Sequence, residues 1–132
     1  MRKAAIALTA LATGALGPAT GAPSALASDA PNSARVHLSV TGNGEGAEPS
    51  ATYLVCFPSG GTHPRAEEAC ATLDEAGGKF ADLPAREGVC TLVYRPVTAT
   101  AKGHWRGEPV NYEQTFGNSC LAADQTNGVF DF

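Results

Sequence analysis

The chain has 132 residues, 43% of them hydrophobic, and its 13 acidic against 9 basic side chains give a formal net charge of −4. This length suits one small domain, and the acidic balance argues against nucleic-acid binding, which needs a basic surface to release counterions. Since no apolar run approaches the ~20 residues that cross a bilayer, we expect neither a nucleic-acid partner nor a membrane partner.

The N-terminal residues have the pattern of an export signal. Two basic residues open the chain, an Ala- and Leu-rich stretch follows up to Gly17, and residues 25–27 (Ala-Leu-Ala) supply the small residues typical of a cleavage site. An N-terminal helix is the alternative, but several Gly and Pro residues would interrupt it. We therefore predict a signal peptide over residues 1–27 and a secreted, extracellular domain over residues 28–132.

The first part of this domain predicts a β-hairpin and then a helix. Residues 34–40 alternate apolar and polar side chains, as a half-buried strand does, and residues 51–57 are rich in β-forming residues. The glycines between them predict the turn of a hairpin. We expect the helix to begin near Pro64, with Thr62 as its N-cap, and to end at Gly77.

The remaining residues predict more strands and a second, shorter helix. The predicted elements are an extended segment at residues 89–100, one strand or a pair at 105–116, a helix at 119–124 capped by Asn118, and a closing strand at 129–132. Because adjacent elements mostly pair antiparallel, the predicted fold class is α+β, a single antiparallel sheet with helices on one side.

The four cysteines of this exported domain predict disulfides. Three pairings of Cys56, Cys70, Cys90 and Cys120 are possible, and pairing in sequence order closes loops of 15 and 31 residues. For loops of that size the chain-entropy model gives about 3 and about 3.7 kcal/mol. A zinc site is the alternative, but the chain has no C-x2-C or H-x3-H spacing, so we predict no metal and no cofactor.

Candidates for catalysis are weak. Ser119 lacks the second glycine of a G-x-S-x-G nucleophile elbow, and disulfide formation leaves no thiol nucleophile. Neighbouring carboxylates such as Glu67 and Glu68 point apart on the predicted helix and indicate a solvated face. The three histidines are better explained as surface or packing residues; they are His37, His63 and His104. We therefore predict that the protein is not an enzyme.

The stretch from Gly88 to Val97 has two interpretations. Its Val, Leu, Tyr and Thr residues favour a core strand. Alternatively, it is an exposed, extended segment that Cys90 anchors covalently and that Pro96 keeps extended. Such a segment presents a peptide in the conformation that a protease cleft accepts.

Ordered motifs across the chain resemble the Streptomyces subtilisin inhibitor family. The matching stretches are CFPSGGTHP at residues 56–64, CTLVYRPV at 90–97, FGNSC at 116–120 and VFDF at 129–132. The resemblance spans about residues 35–132. It implies a five-stranded antiparallel sheet with two helices, a homodimer, and the disulfides Cys56–Cys70 and Cys90–Cys120.

The resemblance also implies a secreted inhibitor of subtilisin-like or chymotrypsin-like serine proteases, which binds them like a substrate. It places the scissile bond at Leu92–Val93, with Leu92 as the P1 residue. The other implied contact residues are Val89, Cys90, Thr91 and Tyr94, and the implied supports of the loop are Asn118 and Pro96. Thr91 stands where the family commonly has proline, and the segment before Cys90 is slightly shorter than usual.

Two other functions stay open from the sequence. One is a secreted binding module of the same fold with weak or lost inhibition, such as the substrate of a crosslinking enzyme. The other is an unrelated secreted enzyme, which would need a cluster of histidine and acid that the sequence does not indicate. For Asn118, a helix cap is the alternative to a brace of the loop.

Overall fold

In this computed structural model the described residues are 32–44 and 48–132, together with Gly14 and Gly17. The predicted signal peptide over residues 1–27 otherwise lies outside the described residues. The elements are β1 (Ala34–Gly42), β2 (Ser50–Cys56), β3 (Gly60–Gly61), α1 (Ala66–Glu75), β4 (Val97–Trp105), β5 (Glu108–Phe116) and α2 (Ser119–Gln125). A short 3₁₀ helix, Phe80–Asp82, follows α1.

The strands form one antiparallel sheet in the order β3-β2-β1-β4-β5. This confirms the predicted fold class. The central strand β1 pairs with β2 through Val36 and Leu54, and with β4 through Leu38 and Ala101. The sheet therefore combines a hairpin from the first half of the domain with a hairpin from the second half.

The core lies between one face of the sheet and both helices. Alternate residues of β1, among them Val36 and Leu38, are buried there, as the alternation of the sequence predicts. Helix α1 contributes Leu73, and α2 contributes Ala122. On the opposite face the side chain of Tyr53 is 53% exposed. Both helices thus cover the same face of the sheet. The segment that joins α1 to β4 runs over the surface.

The predicted cap of α1 is wrong. The helix begins at Ala66, and the hydroxyl of Thr62 instead accepts a hydrogen bond of 2.9 Å from the backbone nitrogen of Tyr53. Thr62 lies beside β2 because it directly follows β3, the edge strand that pairs with β2. At the other end the glycine signal is correct, since the nitrogen of Gly78 bonds the carbonyl of Leu73 at 2.8 Å.

The predicted closing strand at residues 129–132 is also wrong. Val129 and Phe130 are buried, but their backbone makes turns: the nitrogen of Val129 bonds the carbonyl of Thr126 at 3.1 Å. The carbonyl of Val129 is bonded by the His63 ring at 2.9 Å rather than by a strand. The alternation of these side chains therefore reflects a buried turn and not a strand. The fifth strand of the sheet is β3 instead.

The segment at residues 89–100 divides into two parts. It is a regular strand only from Val97 onward, and residues 83–96 belong to neither helix nor strand. Of residues 105–116, Trp105 ends β4 and residues 108–116 form β5, because Arg106 and Gly107 make the turn between them. The core-strand interpretation of residues 88–97 is therefore wrong for all but the last residue.

Candidate reactive loop

Residues 86–96, called the reactive loop below, present large apolar side chains to solvent. The exposed fractions are 101% for Val89, 93% for Leu92, 55% for Val93 and 79% for Tyr94. Folding alone does not favour such exposure, and large apolar side chains exposed close together along the chain make this segment a candidate binding surface. The structure therefore brings together the contact residues that the sequence predicts.

Asn118 holds the backbone on both sides of Leu92. Its side-chain nitrogen donates hydrogen bonds of 3.0 Å to the carbonyl oxygens of Thr91 and Val93. Its side-chain oxygen accepts a bond of 2.8 Å from the nitrogen of Leu121, which caps α2. One side chain thus bonds the loop and caps the helix, because the amide offers two N–H groups and a carbonyl.

The loop is also tied to α2 covalently. Cys90 and Cys120 form a disulfide with their Cα atoms 5.7 Å apart, and Cys120 lies in the first turn of α2. The second disulfide, Cys56–Cys70, joins β2 to α1 with Cα atoms 5.6 Å apart. These are the pairs that the resemblance implies. One disulfide therefore fixes the loop, and the other fixes the first helix on the sheet.

Two backbone hydrogen bonds hold the C-terminal part of the loop. The nitrogen of Arg95 donates to the carbonyl of Gly117 at 2.8 Å, and the nitrogen of Asn43 donates to the carbonyl of Pro96 at 3.0 Å. The carbonyl of Pro96 therefore ties the end of the loop to the residue that follows β1. Gly117 and Asn43 carried no signal in the sequence, because their roles depend on backbone atoms and not on side chains.

An ion pair holds the N-terminal part of the loop. The guanidinium Nε of Arg86 donates to a carboxylate oxygen of Asp124 at 2.7 Å, and its terminal nitrogen donates to Asp131 at 3.1 Å. The hydrogen bond to Asp124 raises the pKa of Arg86. Burial alone would raise the pKa of Asp131, but hydrogen bonds from Arg86 and Arg65 outweigh it and lower that pKa. The sequence did not indicate these partners, which are distant along the chain.

The structure explains the buried histidine as a packing residue. His63 accepts from the nitrogen of Arg65 at 3.0 Å through Nδ1, and its Nε2 lies 2.9 Å from the carbonyl of Val129, so the neutral ring donates there. Burial lowers the pKa of His63 and keeps it neutral. Both ring nitrogens are thus used within the fold.

Metal binding at the loop is disfavoured by the disulfide. Within residues 32–44 and 48–132, the group with the proximity that a metal would need is Cys90, Cys120 and Asp124, with ligand atoms inside 4.8 Å. The two sulfur atoms are bonded to each other, so neither is a thiolate ligand. In the same part of the chain, no helix has the length and apolar character of a membrane span.

Comparison with known proteins gives consistent matches. The sequence model of the family described as "Subtilisin inhibitor-like" matches residues 30–118. The "Probable subtilase-type protease inhibitor" of Streptomyces avermitilis is 41% identical over 138 residues, which covers 97% of this chain and 95% of that protein. The "Trypsin inhibitor STI2" of Streptomyces longisporus is 42% identical over 138 residues, covering 98% and 94%.

A solved structure resembles the fold as well. The chain matches the crystal structure of Streptomyces caespitosus sermetstatin in complex with Bacillus licheniformis subtilisin, with a TM-score of 0.60 and 28% identity. The match covers 76% of this chain and 99% of that one. The sermetstatin in that structure is bound to a subtilisin.

Proposed function

The chain belongs to the subtilisin inhibitor-like family, as the sequence resemblance predicts, and we propose that it inhibits subtilisin-like serine proteases by binding them like a substrate. We place the scissile bond at Leu92–Val93. One observation carries this assignment: Leu92 is 93% exposed while Asn118 bonds the carbonyl of the residue on each side of it. An exposed side chain on a fixed backbone is what a protease cleft accepts.

Binding would use the exposed side chains and the extended backbone together. Leu92 would fill an apolar S1 pocket, while residues 89–91 would pair with the enzyme as an added strand. Tyr94 and Val93 would contact the leaving-group side. Because the loop is already ordered, binding avoids much of the entropy cost that a flexible substrate must meet. We expect an interface of ~800 Å² on each partner.

Inhibition rather than digestion would follow from the tethers. Attack of the enzyme's serine on the Leu92 carbonyl would form an acyl-enzyme and release the amine of Val93. Asn118 and the backbone bond from Arg95 to Gly117 would hold that amine, while the Cys90–Cys120 disulfide would hold the acyl side. The amine of Val93 would therefore stay at a high effective concentration beside the acyl-enzyme. Its attack on the acyl-enzyme, which re-forms the peptide bond, would be faster than hydrolysis.

Specificity would depend mainly on Leu92. An apolar P1 side chain suits subtilisin-like and chymotrypsin-like pockets and disfavours trypsin, whose pocket presents a carboxylate that needs a cation. At P2, Thr91 lacks the ring of a proline, so the bond from Asn118 to its carbonyl would supply part of the missing restraint.

We further propose that the domain over residues 28–132 is secreted after cleavage of the signal peptide and forms a homodimer, as the resemblance implies. The export pattern of the first 27 residues and the two disulfides support secretion into an oxidising compartment. Mass spectrometry of the exported protein would give the cleavage site. Sedimentation equilibrium would give the oligomeric state.

The decisive experiment is a titration of purified residues 28–132 against a fixed amount of subtilisin. We expect a sharp, linear loss of protease activity, with any cleavage confined to Leu92–Val93. Leu92→Asp should abolish the loss, because a carboxylate is not accepted in an apolar pocket. The matched control Ala71→Asp places the same charge on an exposed position of α1 and should inhibit like wild type.

A stable fold without inhibition would contradict the proposal. The binding-module interpretation would then be preferred. Rapid digestion at bonds other than Leu92–Val93 would place the protease contact elsewhere on the chain.

A further inference from the structure

Residues at both ends of helix α2 contact the reactive loop. The contact at the N-terminal end of the helix lies beside the proposed scissile bond, and the contact at its C-terminal end does not. Asn118, at the start of α2, bonds the carbonyls of Thr91 and Val93. Asp124, in the last turn of α2, contacts the N-terminal part of the loop instead. The two sites bond different residues of the loop, which are Thr91 and Val93 at the first site and Arg86 at the second.

Asp124 meets three successive parts of the loop. Its backbone carbonyl accepts from the nitrogen of Arg86 at 2.8 Å, and its carboxylate accepts from Nε of the same residue at 2.7 Å. The other carboxylate oxygen lies 3.2 Å from the sulfur of Cys90. Between them, Gly88 passes so close that a Cβ atom there would overlap the carboxylate. Asp124 thus contacts the loop at three positions between residue 86 and residue 90.

The surroundings make this contact firmer than an ordinary surface ion pair. The side chain of Asp124 is only 15% exposed and that of Arg86 is 31% exposed, so solvent screens the pair less than it would at the surface. Asp131 binds the guanidinium from another side and pairs in turn with Arg65, just before α1. Arg86 is therefore fixed in orientation by two carboxylates.

We propose that Asp124 and Arg86 form a second brace that positions residues 88–90, the P5 to P3 residues of the inhibitor. The inference rests on the proposed function. Gly88 has no side chain to pack, and the side chain of Val89 is fully exposed, so this stretch has little packing of its own. Strand addition to a protease cleft needs its N–H and C=O groups already aligned. The brace supplies that alignment.

The test compares Asp124→Asn and Arg86→Gln with wild type in subtilisin inhibition. Asn keeps the shape of the side chain and removes the charge. We expect each variant to raise the inhibition constant about tenfold, mainly through faster dissociation. The double variant should be no worse than either single one, because both act through one contact. Asp74→Asn breaks an ion pair of 3.0 Å with Arg106 away from the loop, and should stay within about twofold of wild type.

Hydrogen exchange in the free inhibitor distinguishes a local effect on the loop from a change in global stability. In Asp124→Asn the amide of Arg86, which bonds the carbonyl of Asp124, should exchange faster, whereas the amide of Arg95, bonded to Gly117, should keep its wild-type rate. Equal acceleration of both groups would mean a general loss of stability and would overturn the brace.

Failure of the brace and failure of the proposed function give different results. If wild type inhibits subtilisin and Asp124→Asn and Arg86→Gln inhibit equally well, the brace is refuted and the proposed function stands. If wild type does not inhibit, the proposed function fails. The exchange rate of the Arg86 amide, bonded to the carbonyl of Asp124, then decides whether Asp124 holds the loop in the free protein.

Discussion

The side-chain nitrogen of Asn118 donates a hydrogen bond of 3.0 Å to the carbonyl oxygen of Val93, the residue just after the proposed scissile bond. The same nitrogen reaches the residue before Leu92, so a buried amide spans the exposed position. Because this amide also caps α2, its two tasks can be separated by substitution.

Asn118→Ser should weaken inhibition without a comparable loss of stability. Serine is a good N-cap and keeps an acceptor for the nitrogen of Leu121, but it cannot donate to both loop carbonyls. Asn118→Ala loses the cap as well, so its free energy of unfolding should be lower than that of the serine variant by about 1 kcal/mol. Both variants should be cleaved at Leu92–Val93 faster than wild type. Equal resistance to cleavage in all three proteins would show that the amide does not brace the loop.

Leu92→Lys should shift inhibition from subtilisin toward trypsin, since a cation then meets the carboxylate of the trypsin pocket. Inhibition constants against both proteases measure the shift. Ala71→Lys adds the same charge at an exposed position of α1, outside the loop, and should leave the selectivity unchanged. Unchanged selectivity of the Leu92 variant would remove Leu92 from the P1 position.

The two disulfides should differ in what their loss does. Replacing Cys90 and Cys120 by serine frees the acyl side of the cleaved bond, so the protein should become a substrate that subtilisin digests. Replacing Cys56 and Cys70 by alanine leaves the reactive loop tied to α2. That variant should lose about 2–5 kcal/mol of stability but still inhibit at a temperature where it is folded. Digestion of both variants at equal rates in the folded state would contradict the tether.

The free energy of unfolding should decrease as the pH is lowered, because of His63. Burial lowers the pKa of His63, so the unfolded chain binds a proton near pH 6.5 that the folded protein still excludes. Unfolding then takes up a proton, and the free energy of unfolding decreases as the pH drops below about 6.5, until the folded form is protonated too. Denaturant titrations between pH 7 and pH 5 measure the slope. His63→Gln should flatten it, and an identical slope in that variant would assign the effect to another group.

The two glycines after α1 should respond differently to alanine. Both have positive φ, +65° at Gly77 and +77° at Gly78, so each substitution strains the backbone. A Cβ at Gly77 meets open space, but one at Gly78 would overlap the indole of Trp105. We expect Gly77→Ala to lower the free energy of unfolding by about 1 kcal/mol and Gly78→Ala to lower it by more than twice that. Equal losses would mean that Trp105 moves aside freely.

Local patterns in the sequence were sufficient for much of the fold. Alternation located β1, because one face of that strand is buried and the other is not. Alternation was misleading at residues 129–132, where the alternating side chains belong to a buried turn. The capping prediction failed at Thr62, whose hydroxyl bonds the backbone of β2 instead of the start of α1. In both places a contact with a distant segment outweighed the local preference.

The sequence by itself determined the family and the antiparallel fold class, because these depend on residue types and their order, and the family resemblance pointed to the segment around Leu92. Only the tertiary structure decided what holds that segment. Asn118 serves both as cap and as brace, and Asp124 meets Arg86 across 38 positions of the chain. Such pairs depend on where the fold brings α2 against the loop, and no local pattern of charge or spacing encodes that distance.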